Sequence, residues 1–407
     1  MDLHTGKMYW PTTLPDAPAY PTLREDVACD VLVIGGGSSG AQCAYELSGA
    51  GLDVVVADKR RVGWGSTLTN TALLQYLGDK MLFELVNSFG EQAAIRHAER
   101  CRQAIADIEA DAAALPRDVE FSRRDSLYCA ASEADLPKLE QEFGYLSKHG
   151  FDAEWWSGDR IRRHYPFSRP AAIYVRNDGE INPFAYNVAL IEGAKARGAA
   201  IYEQTEITGR VDEADHVAFR TAGGPTIRAR RAIVAAGYET MSFKPDKNAL
   251  LLSTYAVVTK PLDAFDGWHG RTLVWETARP YIYLRTTRDR RVIVGGLDEG
   301  TAIAEDRDSH LAGKRDRLMK ELADRFPAIA AATEAEFHLA AFYGGTHDGL
   351  PMIGEYADFP RCFFLYAYGD NGLVYSSILA KLLKDRLTGT PNPAYEFYRQ
   401  GRPALTR

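Results

Sequence analysis

No apolar run in this sequence approaches the ~20 residues that a membrane-crossing helix needs, so no membrane span is expected. Positive charge is in deficit. Lys and Arg number 48 against 55 Asp and Glu, for a formal net charge of −7. No basic run interleaved with aromatics offsets that balance, which excludes a general nucleic-acid binder. Cysteine is scarce: Cys29, Cys43, Cys101, Cys129 and Cys362 are scattered and make no C-x-x-C. Free thiols in a cytoplasmic protein, with no metal site, are the expectation. Residues 1–26 lack both the basic stretch and the apolar core of a secretory signal. They are rich in Pro and aromatics (Tyr9-Trp10-Pro11, Pro15, Pro18, Pro21) and predict an extended arm packed over the body. Low-complexity tracts and internal repeats are absent.

What is present begins at Asp30. The apolar run Val31-Leu32-Val33-Ile34 passes at once into Gly35-Gly36-Gly37-Ser38-Ser39-Gly40. This predicts a buried strand, a glycine turn and a helix. Gly35, Gly37 and Gly40 fill G-x-G-x-x-G: the first for the tight turn, the second for close approach of a pyrophosphate, the third for helix-on-strand packing. Ser38 and Ser39 open the helix, whose N-terminus attracts phosphate charge. A second strand, Asp53 to Ala57, ends at Asp58-Lys59, about 20 residues on, where such a fold places a carboxylate for a ribose hydroxyl. That acid repels a 2′-phosphate, so FAD or NAD is favoured over NADP. A glycine turn with no nucleotide is the plainer alternative, and the strand–turn–helix–strand context outweighs it. The loop Arg61 to Ala72, with Gly65, Ser66 and Thr67, either lines a phosphate or ring with backbone amides or is a polar surface loop.

The length of 407 residues, 46% of them hydrophobic and 25% charged, predicts a globular chain of two domains. Ile95, Ala98, Ile105, Ile108, Ala112 and Leu115 recur at helical spacing and predict one helix over 81–115, stopped by Pro116. Strands are expected at Ser126–Cys129 and Ala171–Val175, then a helix over Pro183–Gly198. A strand over Ala200–Ile207 follows, and a later one closes on Ala235-Ala236-Gly237. From Leu251 to Leu297 the signals are those of an antiparallel sheet. Helices are expected over 308–325 and 372–386. On an extended segment Tyr281, Tyr283 and Arg285 share one face, aiming two phenols and a guanidinium together; the alternative is aromatic packing beside a surface Arg.

Together these separated motifs resemble the D-amino acid oxidase (DAO) family of FAD-dependent amine and amino-acid oxidoreductases, which includes glycine oxidase, sarcosine oxidase and γ-glutamylputrescine oxidase. The likeness runs from about Asp30 to Leu387. Val31 to Gly40 with Asp58-Lys59 resembles the family's FAD fingerprint, and Arg61-Val62-Gly63-Trp64-Gly65-Ser66 its flavin loop. Thr346-His347-Asp348-Gly349-Leu350-Pro351-Met352-Ile353-Gly354 is similar to the late T-x-D-G-x-P-x-I-G motif. Gly369-Asp370-Asn371-Gly372 resembles the C-terminal glycine turn whose helix faces the flavin.

The resemblance implies an α/β fold with a discontinuous Rossmann-like FAD-binding domain over 30–80, 166–250 and 341–407. An inserted substrate domain of antiparallel sheet plus helices would occupy 81–165 and 251–340, with an arm over 1–29. FAD would be held by Gly35, Gly37, Ser38, Ser39, Gly40, Asp58, Lys59, Gly65, Ser66, Thr67, Ile207, Ala236, Gly237, Gly369, Asp370, Asn371, Gly372 and Leu373. The tethering Cys of some members is replaced by Ala340-Ala341, which implies non-covalent FAD.

Two positions where members grip a substrate carboxylate with Arg are occupied by Tyr343 and Gln75, a loss that bidentate recognition does not survive. The implied substrate is an amine or N-substituted amino acid, and one with no carboxylate beside the reacting carbon, such as a longer amine, is favoured. Tyr281 matches the family's substrate-facing Tyr. Tyr255, Tyr281, Tyr283 and Tyr343 would form walls and Gln75 a polar contact. Arg285 would hold a distal acidic group or stabilise reduced flavin. Hydride transfer to flavin N5 would give an imine that water hydrolyses. The flavin-adjacent Lys of sarcosine oxidase-like members has no counterpart between Leu273 and Gly296, which by that resemblance favours a dehydrogenase, or an oxidase helped by another cation. Two rivals remain: oxidation of a 2-hydroxy acid or glycerol phosphate with His347 as base, and a flavoprotein subunit active only with a partner.

Overall fold

The computed structural model describes residues 1–78 and 80–402. Two sheets organise it. The smaller runs Met352–Gly354, Cys362–Tyr366, Thr226–Val234, Val27–Ile34, Val54–Ala57, Ala200–Tyr202, with a hairpin of Ile207–Asp212 and Val217–Thr221 attached to Thr226–Val234. Its central strands are parallel, in the register Val31↔Val54 and Val31↔Arg231. Parallel strands are covered on both faces, which is why Val31 to Ile34 and Val54 to Ala57 are apolar without alternation. Helices Ser38–Gly49, Pro183–Ala196 and Gly372–Thr388 pack on one face. The carboxyl ends of the strands therefore open together at Gly35, Asp58 and Ala235, where such sheets bind ligands.

Among the described residues the larger sheet has ten strands. Its main path runs His4–Lys7, Ala335–Thr346, Ala249–Thr259, Val292–Glu299, Ile282–Thr286, Leu273–Glu276, Ser122–Cys129, Ala171–Glu180, Leu73–Leu74. Leu273–Glu276 pairs in parallel with Ser122–Cys129, so the sheet is mixed rather than antiparallel throughout. The strand Ala171–Glu180, expected on the nucleotide side, pairs with Ser122–Cys129 and Ala153–Ser157 in this sheet. Its apolar run suits either sheet, and only the pairing decides. Ala335–Thr346 likewise crosses the expected boundary at 341. Of the expected FAD-domain ranges, Asp79 and residues 403–407 lie outside the described residues.

Three expected elements are interrupted. The helix over 81–115 is two, Leu82–Phe89 and Glu91–Ala114, broken at Gly90 with φ 84°. The helix over 308–325 is preceded by a separate turn of helix at Ala304–Ser309 and begins at Leu311. The strand from Ala200 stops at Tyr202 because the Gln204 and Thr205 amides turn to donate to the carbonyls of Arg60 and Asp58, at 3.1 and 2.8 Å. Thr205 and Glu206 thereby line the cleft.

The first residues form the edge of the larger sheet, His4–Lys7 pairing antiparallel with His338 to Ala341. Tyr9 and Trp10 are buried, and the Trp10 indole donates to the Asn70 carbonyl at 2.8 Å. Among the described residues no helix is long and apolar enough to cross a membrane.

Candidate active site

A cleft of about 380 Å³ opens at the carboxyl ends of the small sheet. Gly35, Gly37, Ser38, Ser39, Asp58, Lys59, Gly65, Ser66, Thr67, Ile207, Ala236, Gly237 and Gly372 all line it. Gly35 has φ 106°, and a Cβ there would come within 2.5 Å of the Ala235 carbonyl oxygen. A Cβ at Gly40 would overlap the Gly35 carbonyl oxygen, so Gly40 acts from behind the wall and does not line the cleft. The Asp58 carboxylate accepts from the Gly36 and Arg60 amides, both at 2.7 Å. Burial pushes its pKa up against those two bonds. Each oxygen keeps a further lone pair for a ligand hydroxyl. This wall of glycines, a helix N-terminus whose Ser38 amide is bonded to the Thr67 hydroxyl at 3.0 Å, and a buried carboxylate fits a dinucleotide.

Sequence reasoning missed Glu239 at the cleft. It is bonded by Lys59 at 2.9 Å and Arg60 at 2.7 Å. Burial raises its pKa, but Arg60 and Lys59 outweigh that and hold it at about 2.

A second, inner cavity of about 100 Å³ shares Ser66, Asn70, Tyr238 and Gly372 with the cleft. Gly372 begins the helix Gly372–Thr388, so free backbone amides and the positive end of a helix dipole face this junction. Gln75, Tyr281, Tyr283, Tyr343, Gly369 and Asp370 also line the inner cavity, with Trp275, Phe342, Thr254 and Asp298. Tyr281 and Tyr283 lie 5.7 Å apart between ring centres. Tyr283 lies flat over Gly295, directly across the strand pair, and bonds the side chains of Thr71 and Thr254. Burial raises the Tyr238 phenol to about 12 and the Tyr283 phenol further, so both stay neutral hydrogen-bond donors. The Gln75 side-chain Nε2 is buried and has no partner. An outer vestibule of about 510 Å³ meets the inner cavity at Tyr281, Asp298, Tyr343, Gly369 and Asp370.

Five expected residues lie elsewhere. Arg285 follows Tyr281 and Tyr283 by the strand period, but its place is past the end of the cavity. It is fully buried and donates to the carbonyls of Ala72 at 2.8 Å and Ile181 at 3.1 Å, beside the Trp10 ring. Desolvation lowers its pKa. It braces the loop that lines the cavity and reaches no distal acidic group. Tyr255 points to the opposite sheet face, because Thr254 takes the cavity face. Its hydroxyl donates to Glu299 at 2.7 Å. Asn371 lines neither space: its side chain accepts from the Gln75 amide and donates to the Leu77 carbonyl. Leu373 is buried in the helix packing. His347 lines only the outer vestibule.

The late motif is held from outside. Asp348 receives two bonds from Arg402, both 2.7 Å, and Arg402 also reaches the carbonyls of Leu350 and Pro351. Burial raises the Asp348 pKa, but Arg402 outweighs it and holds the carboxyl below its ordinary value. Arg402→Ala should therefore lose about 3 kcal/mol of stability at neutral pH. A depressed carboxylate stabilises above its unfolded pKa and loses that contribution as pH falls through its folded pKa. Urea titrations of wild type and variant should thus converge in acid; a gap that persists there would contradict the ion pair as cause.

Such a fold, a dinucleotide cleft joined to an aromatic inner cavity under a large mixed sheet, defines a dinucleotide-dependent oxidoreductase. The model of the FAD dependent oxidoreductase (DAO) family matches residues 30–386. The chain belongs to that family and is an FAD-dependent oxidoreductase. It is 23% identical over 397 residues to the gamma-glutamylputrescine oxidoreductase of Escherichia coli (strain K12), covering 96% of this chain and 90% of that one. A shorter match, 31% over 197 residues, is to YhfW of Bacillus subtilis (strain 168), a protein named for a Rieske 2Fe-2S centre; it covers 48% of this chain and 38% of that protein. The crystal structure of glycine oxidase from Geobacillus kaustophilus superimposes with a TM-score of 0.77 at 19% identity, over 90% of this chain and 96% of that one.

Proposed function

We propose that this chain oxidises a carbon–nitrogen bond of an amine or N-substituted amino acid whose reacting carbon bears no carboxylate. The observation that carries this is the inner cavity: it adjoins the dinucleotide cleft, its walls are aromatic, and no Arg, Lys or His lines it among the described residues.

When bound, FAD supplies the two-electron acceptor. Tyr281, Tyr283, Tyr343, Phe342 and Trp275 exclude water and disfavour an ammonium, leaving the nitrogen lone pair available. The substrate carbon gives up hydride, the lone pair closes C=N, and water hydrolyses the imine. Gly372 and the following helix amides stabilise the negative charge that accumulates beside them. Matches to relatives named for γ-glutamylputrescine and for glycine support the C–N reading. The match to a protein named for a Rieske centre favours, as a second reading, electrons leaving to a protein partner rather than to oxygen.

The cofactor is held without a covalent bond, since no Cys lines the cleft or the inner cavity among the described residues. Acid precipitation should leave all yellow colour in the supernatant; colour in the pellet would contradict this. The function is tested by anaerobic titration of the yellow protein with amines, amino acids and 2-hydroxy acids. Bleaching by an amine and not by a hydroxy acid is the expected result, and the reverse would overturn it. Slow recolouring in air would favour the protein-partner reading, as would a yellow protein that nothing small bleaches.

A further inference from the structure

The inner cavity carries two buried donors that nothing satisfies. Gln75 Nε2 and Trp275 Nε1 have no partner, and their residues are 6% and 2% exposed. Both residues line the inner cavity, and neither lines the dinucleotide cleft or the vestibule. A buried donor left unpaired costs stability, so two in one small space mark a place prepared for an acceptor. An indole N–H can only donate, which fixes the kind of group that meets it.

Neither residue is free to turn elsewhere. Trp275 stands directly between Tyr128 and Tyr283 in the register of the larger sheet, and its ring stacks on Tyr128 at 3.8 Å and 10°. The indole plane is held there, so its N–H cannot swing to another acceptor. The main chain of Gln75 is pinned on both sides. Its own amide donates to Asn371 at 3.2 Å, and the next amide, of Tyr76, donates to Asp178 at 3.1 Å. The Tyr283 hydroxyl, on the same cavity, is already bonded to Thr71 and Thr254.

We propose that the substrate presents an uncharged carbonyl oxygen, of the carboxamide type, beside its reacting carbon, and that Gln75 Nε2 and Trp275 Nε1 receive it. This rests on the C–N reading above and narrows it to amino amides. A carbonyl oxygen has two lone pairs and so the capacity for two donors. A carboxylate is the poorer match. No Arg, Lys or His lines the cavity among the described residues, and a buried anion without a countercharge costs far more than a buried carbonyl. An alkyl group is also the poorer match, because it leaves both donors unpaired. The cavity holds only about 100 Å³, so the carbonyl and the reacting carbon share it and lie close together along the substrate.

The test uses the holoenzyme and four probes of similar size: glycinamide, propanamide, isobutylamine and glycine. Binding is measured by calorimetry under argon, with amines compared per neutral amine, and bleaching of the flavin band is followed separately. Wild type should bind glycinamide at least about tenfold tighter than isobutylamine, and glycine weakest. Gln75→Leu and Trp275→Phe remove one donor each and keep the bulk. Each should weaken glycinamide and propanamide by about tenfold and leave isobutylamine unchanged. Flavin content and Tm are checked for both, and either variant carries the test if the other fails to fold. Isobutylamine or glycine binding as tightly as glycinamide overturns the proposal, as does a carboxamide preference that survives the substitutions. A shifted flavin band or lost FAD in the probe-free variants, with the ranking of probes unchanged, assigns the donors to a cofactor carbonyl and also overturns it. Carboxamide selectivity that the substitutions remove, with no amine bleaching the wild type, upholds the acceptor site and overturns the C–N reading. Bleaching by amines without carboxamide preference does the opposite.

Discussion

Gly40→Ala should yield a protein that purifies colourless. A Cβ at this position overlaps the carbonyl oxygen of Gly35, which is backbone and cannot swing aside. The helix Ser38–Gly49 must then withdraw from the strand Val27–Ile34. Overpacking of this kind costs about 1–3 kcal/mol. The larger effect falls on the ligand, because the withdrawn helix carries the amides of Ser38 and Ser39 away from the cleft. A fall in FAD affinity of more than about a hundredfold is expected, since displacement of anchoring groups by about 1 Å has effects of that order. The flavin-to-protein absorbance ratio after gel filtration measures it. A fully yellow variant would contradict the assignment of this turn to the pyrophosphate.

Gly295→Ala should keep its flavin and lose activity. The added methyl would overlap the ring and hydroxyl of Tyr283, the directly opposed residue of the neighbouring strand. The ring must leave its place, and with it go the bonds to Thr71 and Thr254. The rate of flavin reduction by a good amine substrate should fall by about a hundredfold, the scale of a mispositioned wall beside a reacting atom. If displacement of Tyr283 is the cause, the loss in Gly295→Ala/Tyr283→Ala should match that of Tyr283→Ala alone. Additive losses would place the effect elsewhere.

The parts of the site legible in the sequence are those fixed by local backbone chemistry. The turn at Gly35 to Gly40, the acid at Asp58 and the turn before Gly372 each need a particular residue for reasons internal to a few positions. The parts that were not legible depend on which strands meet. Asp298, Trp275, Tyr238 and Thr254 come from four separate segments and carry no motif. Their shared cavity exists only because Ile282–Thr286 lies between Leu273–Glu276 and Val292–Glu299. Tyr255 illustrates the same limit. Period two assigns it a face, but which face looks inward was undetermined until the partners were known. Arg285 has the expected face and the wrong depth, because alternation says nothing about where a cavity ends. The break at Gly90 was missed because the apolar positions that carried the expectation, Ile95 to Leu115, all lie beyond it.

The arm described at the sheet edge bears on how the protein is made. His4–Lys7 finds its partner only in residues 338–341, and the nucleotide sheet is completed only by Cys362–Tyr366. During synthesis the Gly35 turn is therefore extruded long before the strands that enclose it. The larger sheet cannot close until Ala341, nor the smaller until Phe364, has left the ribosome. Contacts of such sequence separation are slow to form and leave strand edges open meanwhile. Cofactor capture is thus a late event for this chain, and shortage of FAD during expression should leave part of the purified protein colourless.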